Sequence, residues 1–245
     1  MAADLILYSP GQTAIIVVII FLAAIIQVVL GMGFGMMAAP LAALIDPSLV
    51  PAPVMIAGMV TACWTAWVER RDIIWQEVGF GTTGRLFGIF AAVLVLSHVA
   101  GGKTFLLVFG VLTGLAVIIS ASGWRMRFDM PNLVGISVVS GFMGTITSVG
   151  APPLAVLYAG QPAQTSRATL SAFFAFGAIM SLSAQFGTGL AGRAELIHGL
   201  MMLVPMLAGI AAAARIKSRF DRRYRIALLA VAGMASVLLI YRGLS

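Results

Sequence analysis

Apolar runs of membrane-spanning length recur from Thr13 to Tyr241, and the first leads straight into a stretch that a spanning helix cannot carry unaided. That stretch is GMGFGMMAAPLAAL, Gly31 to Leu44. Glycines at 31, 33 and 35 weaken a helix, and Pro40 removes a backbone donor and clashes with the preceding turn. Hydrocarbon cannot satisfy the N–H and C=O groups so freed, so the break must face protein or a wet cavity. A second stretch, GTITSVGAPPLAVL, Gly144 to Leu157, repeats the signal. Setting Gly31 on Gly144 places Pro40 on Pro153, Leu41 on Leu154, Ala42 on Ala155 and Leu44 on Leu157. Two interrupted segments in matching places of two halves point to the binding site of a transporter. Gly31, Pro40, Gly144, Pro152 and Pro153 are therefore the expected helix-break or gating residues.

The chain is 61% hydrophobic and 9% charged, which excludes a soluble domain. The expected fold is an all-α polytopic membrane protein of two four-segment repeats, each opening with a Gly/Pro-broken helix. Residues 1–121 form the N-terminal repeat, 122–131 a polar linker and 132–245 the C-terminal repeat. After the first break, spans are expected at about 50–68, 73–96 and 104–120. After the second, which ends at Gln161-Pro162, they are expected at about 167–186, 194–214 and 226–241. Gly88-Ile89-Phe90-Ala91-Ala92 also matches Gly209-Ile210-Ala211-Ala212-Ala213, and an internal repeat outranks local propensity. Four full spans per half would give the halves one orientation; re-entrant breaks would let them be inverted.

A net charge of +7 raises the question of nucleic acid, but most basic residues sit in short loops, where they meet lipid headgroups and set orientation. No nucleic-acid partner is expected. A plain eight-span count puts Lys103, Arg167 and the cluster Arg215, Lys217, Arg219, Arg222, Arg223 and Arg225 on one side. It puts Arg70, Arg71, Arg125, Arg127, Arg193 and Arg242 on the other. The dense cluster favours its own side as cytoplasmic, with both termini outside. The first apolar run lacks a basic n-region and a small-residue cleavage site and reads as a retained helix. The single cysteine, Cys63, excludes an internal disulfide and a cysteine-based metal site. No metal or cofactor is expected.

Arg85 is the sharpest residue. It lies midway along the third run, where a charge is costly and faces the bundle interior or water. Gly81, Thr82, Gly88 and Ile89 surround it on the helix, a mostly small face that allows close approach or a cavity. Arginine stays protonated and can grip a carboxylate or sulfonate through two parallel hydrogen bonds. The alternative is a structural arginine tied to carbonyls freed by the breaks. Gly33 and Gly35 in the first break, and Thr145, Thr147, Ser148 and Gly150 in the second, are the other expected substrate-binding residues. Half-helix N-termini there would present N–H donors and partial positive charge. Gln27, a turn before the first break, is a further candidate. Gly84-xxx-Gly88 and Gly110-xxx-Gly114 read instead as helix-packing faces. Apart from Glu77, about a turn into its helix, no acid lies deep in a span, so a carboxylate relay for coupling has weak support.

The two broken segments, the Arg71-Asp72-Ile73-Ile74-Trp75 start of the third run and the Gly88 and Gly209 motifs together resemble the TauE/SafE-like transporters, the sulfite exporter and toluene-sulfonate uptake permease family. The resemblance spans nearly the whole chain. It implies a multi-pass transporter of the bacterial inner membrane for small sulfur-containing anions: sulfonates, sulfite or thiol carboxylates. No enzyme activity is expected. The second break departs from the glycine-rich form, with Thr145, Thr147 and Ser148 in place of glycines. An anion channel, a carrier of sulfur-free organic anions and a structural membrane protein stay open, as does a homodimer. An intramembrane enzyme is disfavoured, because Ser148 lacks a nucleophile-elbow context.

Overall fold

A computed structural model of the chain describes residues 8–30, 33–99, 102–213, 215 and 222–245. Among them are eleven α-helices: α1 (Pro10–Leu30), α2 (Phe34–Ile45), α3 (Ala52–Val68), α4 (Trp75–Val99), α5 (Lys103–Ala121), α6 (Met130–Thr147), α7 (Ala151–Tyr158), α8 (Ala163–Gly187), α9 (Arg193–Met201), α10 (Leu203–Ala213) and α11 (Arg222–Leu244). Eight spans are long and apolar enough to cross a membrane, with α9 and α10 counted together. Large apolar side chains such as Phe87, Phe90, Val204 and Val237 stand exposed on the outside of the bundle. In a chain of this composition that is the face lipid would cover.

The short helices α2 and α7 turn back instead of crossing. Tyr8, just before α1, donates its hydroxyl to Asp46 Oδ2, just after α2, at 2.9 Å. So α1 and α2 begin and end at one face of the bundle. Met126, ahead of α6, donates its N–H to the Val156 carbonyl near the end of α7 at 3.2 Å. Tyr158 donates to Glu77 Oε2, in the first turn of α4, at 2.7 Å. So α6 and α7 begin and end at the opposite face.

This changes the distribution of charge that a plain eight-span count predicts. Arg167 pairs with Glu69, Gln164 donates to Asp72, and the 122–129 linker lies at the same end. Arg70, Arg71, Arg125 and Arg127 thus share an end with Arg167, and α10 delivers Arg215 to it. Lys103, which donates to the Ser245 carbonyl, and Arg242, which donates to the Leu44 carbonyl, lie together at the other end with Arg193. The count failed because it treated each broken segment as a single crossing. Lys217 and Arg219 lie outside the described residues, as do Gly31 and Met32.

The closest-packed helix pairs cross between the halves: α4 on α6, α10 on α1, α3 on α8 and α5 on α11. Glycines set these approaches, as read from the small-xxx-small spacing. A Cβ on Gly84 or Gly88 would collide with the Val134 or Val138 carbonyl of α6, and one on Gly209 with the Phe21 carbonyl of α1. Gly110 and Gly114 play the same part for α5 against Ser236 and Ile240 of α11. The fully buried core runs through Ile20, Phe109, Ile146, Met206 and Leu239.

The breaks themselves differ from expectation in register. Pro40 does not end a helix; it is buried within α2, which runs on to Ile45. Its ring denies a donor to the carbonyl one turn earlier, that of Met36. Pro152 and Pro153 instead occupy the first turn of α7, where no intrahelical acceptor would exist anyway. Gly144 lies inside α6, its carbonyl accepting from the Ser148 N–H at 2.8 Å. With Gly31 set on Gly144, Gly33 at the start of α2 falls on position 146, whereas Gly150 at the start of α7 lies about a turn later.

Candidate functional site

The two interruptions meet. Ser148 adopts left-handed backbone, φ 61°, at the end of α6, and its carbonyl lies where a Cβ on Gly35 would be. Only glycine at 35 permits this approach. Beside the junction is a central cavity of about 90 Å³, lined by Gln27, Gly33, Gly35, Arg85, Gly144, Ser148 and Gly150 among others. Seven sequence-expected residues from four helices and two breaks thus surround one space. Apolar side chains from α2, α3 and α8 complete the wall, notably Phe34, Met36, Met55, Met59 and Phe174.

Arg85 is the sole ionisable residue among the described residues lining this cavity. It is 3% exposed, and its Nε and Nη1 have no hydrogen-bond partner. Its guanidinium carbon stands 5.0 Å from the Phe173 ring centroid and 5.8 Å from that of Phe174. Cation–π attraction of this kind offsets only part of the desolvation cost of a buried charge. Three glycines clear its path. A Cβ on Gly177 would overlap the guanidinium, one on Gly141 would stand 2.9 Å from its Cγ, and one on Gly144 3.3 Å from its Nη2. The slot is therefore built by α6 and α8 for an arginine. Gly141, Gly177, Phe173 and Phe174 carry no sequence signal of their own; they become legible only once α6 and α8 are seen to cross α4 at Arg85.

The polar groups of the breaks divide into structural and open ones. Gln27 Oε1 accepts the Phe34 N–H at 3.0 Å and so caps α2 across the gap. The Gly35 and Met36 N–H groups belong to the first turn of α2, which offers no acceptor within that helix. Gly33 holds φ 121° at the cap, a conformation costly for other residues. In the second break, Ser148 Oγ donates to the Pro51 carbonyl at 2.8 Å. Ser140 Oγ donates to the Gly150 carbonyl at 2.6 Å. Thr145 and Thr147 are fully buried and do not line the cavity. Thr145 shares a hydrogen bond with Ser181 at 2.9 Å, while Thr147 donates to the Met143 carbonyl and accepts the Val149 N–H. Pro152 and Pro153 also remove two of the N–H groups that a half-helix would present. The second break thus keeps the first-turn N–H of Ala151, and the first break those of Gly35 and Met36.

A larger vestibule of about 810 Å³ adjoins the cavity at the basic end, lined by Trp124, Arg125, Gln161, Gln164 and Arg167. Gly33, Met36 and Ala151 line both spaces, so the partition is the first turn of α2 and the first residue of α7.

A family model described as sulfite exporter TauE/SafE matches residues 16–239, nearly the whole chain. The chain belongs to the TauE/SafE family. No curated relative and no solved structure matches it. Membership of this sulfite-exporter family, with eight apolar helices of spanning length, makes the chain a multi-pass membrane permease. In a TauE/SafE member, a buried arginine without a carboxylate partner, facing a cavity between two helix breaks, is an arrangement suited to holding an anion.

Proposed function

We propose that the chain is a secondary transporter that carries small organosulfur anions (sulfonates, sulfite or thiol carboxylates) across the bacterial inner membrane. The anion binds in the central cavity, between the two broken hairpins. Arg85 supplies the charge, and the first-turn N–H groups of α2 orient the sulfonate or carboxylate. The reading rests on Arg85: fully buried, lacking a carboxylate partner, and placed where both breaks converge.

The halves 1–121 and 132–245 act as an inverted repeat joined by the linker 122–131. The reciprocal packing of α4 on α6 and α10 on α1 supports this, as do hairpins that open on opposite faces. The basic end is cytoplasmic by the positive-inside rule, with both termini outside. The vestibule then leads inward, and rocking of one half against the other would alternate access.

The test is uptake into proteoliposomes with labelled sulfite and a sulfonate, for the wild type and Arg85→Gln. Saturable uptake that falls at least tenfold in the variant is expected. Normal saturable transport by Arg85→Gln would sink the charge-clamp reading, and linear, non-saturating flux in the wild type would make the protein a channel.

A further inference from the structure

We propose that the central cavity selects by charge, taking monoanions and rejecting dianions of the same size. The inference rests on the anion-site reading above and deepens it. The first argument is a charge count. Four helix ends meet at the breaks: the C-termini of α1 and α6 and the N-termini of α2 and α7. Each N-terminus carries about half a positive charge and each C-terminus about half a negative one, so the four cancel to first order. Arg85 is left as the net charge of the site.

The second argument is the supply of donors. A second negative charge would need a second cation or a dense set of free N–H and O–H groups. The described lining offers no other cation. The Ser148 hydroxyl proton is committed to the Pro51 carbonyl, and the Thr145 and Thr147 hydroxyls are engaged away from the cavity. Pro152 and Pro153 contribute no N–H, so the first turns supply only those of Ala151 in α7 and of Gly35 and Met36 in α2. The remaining wall, Phe34, Val54, Met55, Met59 and Phe174, is apolar and lowers the local dielectric. One negative charge neutralises Arg85, whereas two leave an uncompensated buried charge. The vestibule is larger and carries two further cations, Arg125 and Arg167, and would admit either kind, so the discrimination lies past Met36.

The cavity of about 90 Å³ also limits size. It suits a sulfonate with a small substituent, or hydrogensulfite, better than an aromatic sulfonate. For sulfite the bound species would be the hydrogensulfite ion. Each sulfite moved would then bring a proton with it, bound to the substrate. That would couple the flux to pH without the intramembrane carboxylate that the sequence lacks at depth.

The experiment compares methanesulfonate and sulfate, two tetrahedral oxyanions of similar size that differ in charge. Their binding to the full chain in detergent is measured calorimetrically, across a pH range that does not titrate methanesulfonate. Methanesulfonate should bind at least tenfold more tightly than sulfate. Apparent sulfite affinity should fall about tenfold per pH unit above the hydrogensulfite–sulfite crossover, while methanesulfonate affinity stays level. Equal binding of sulfate and methanesulfonate, or pH-independent sulfite binding, would overturn charge selection. In that case loss of both anions in Arg85→Gln would leave the anion site standing. Binding that survives Arg85→Gln, or no anion binding by the wild type, would overturn the site reading itself. Arg85→Lys, which keeps the charge, should retain the monoanion preference with weaker binding and serves if Arg85→Gln does not fold.

Discussion

Replacing Gly177 with alanine is the sharpest perturbation of the arginine slot, because it changes nothing that a ligand touches directly. Gly177 does not line the cavity, yet its added Cβ would overlap Nε, Cζ and Cδ of Arg85. The guanidinium must leave its place between Gly141, Gly144 and the Phe173 ring. Overpacking of this sort costs about 1–3 kcal/mol, and the lost cation–π contact about 0.5–2 kcal/mol. Against this, alanine in the interior of α8 returns about 1 kcal/mol of helix propensity. Since a flexible side chain can give way, the overpacking term falls at the low end, and net stability should drop by about 0–2 kcal/mol. Anion binding should lose at least one charge-assisted hydrogen bond, worth about 1.5–3 kcal/mol, or roughly ten- to hundredfold in affinity. The assay is melting temperature in detergent, with and without a graded series of methanesulfonate. Gly135→Ala, on α6 with open space around it, is the control and should bind normally. Wild-type affinity in Gly177→Ala would refute the slot, and an equal loss in Gly135→Ala would show the effect to be unspecific.

Gly35→Ala brings a Cβ against the backbone carbonyl of Ser148, which cannot swing aside as a side chain can; a loss of about 1–3 kcal/mol is expected, read as a lower melting temperature of the purified protein. Thr145→Val leaves Ser181 without its buried partner and should cost about 1–3 kcal/mol of stability with little change in anion affinity, as the residue lies off the cavity; calorimetric binding checks this. Burial pushes the Tyr8 phenol up to about 12, with the Asp46 carboxylate that accepts its hydrogen bond adding to the rise and the Ser48 hydroxyl opposing it. Its folded value is thus above the ordinary value of about 10. Its contribution is therefore present below about pH 10 and lost as pH climbs through about 12. Melting temperature between those pH values should fall less steeply in Tyr8→Phe than in the wild type.

The spans were legible because an apolar run of about twenty residues has few alternatives. Arg85 was legible for the complementary reason, as a charge in such a run. What the pattern could not convey is where chains cross. Pro40 looks like Pro153 in alignment, yet one is absorbed inside α2 and the other starts α7, because a proline's effect depends on whether four helical residues precede it. Thr147 and Ser148 look like paired ligands, yet the turn between α6 and α7 spends the threonine hydroxyl on the Met143 carbonyl and the serine hydroxyl on the Pro51 carbonyl. Gly141 and Gly177 resemble any other helix glycine until Arg85 is placed between them. The balance of basic loops depended on the same point: a break read as a crossing reverses every loop up to the next break, here those holding Arg70, Arg71, Lys103, Arg125 and Arg127.

The exchange of packing partners between the halves bears on biosynthesis. Arg85 emerges from the ribosome before Gly141, Phe173 and Gly177 exist, so α4 enters the bilayer with its charge unhoused. A lone arginine at that depth is unfavourable by a few kcal/mol on insertion scales. The first half must therefore wait, beside the insertion machinery or with Arg85 drawn toward a headgroup, until α6 and α8 arrive. Truncation after the linker would leave a fragment with no resting place for its one buried cation, a target for membrane proteolysis and not a working half-transporter.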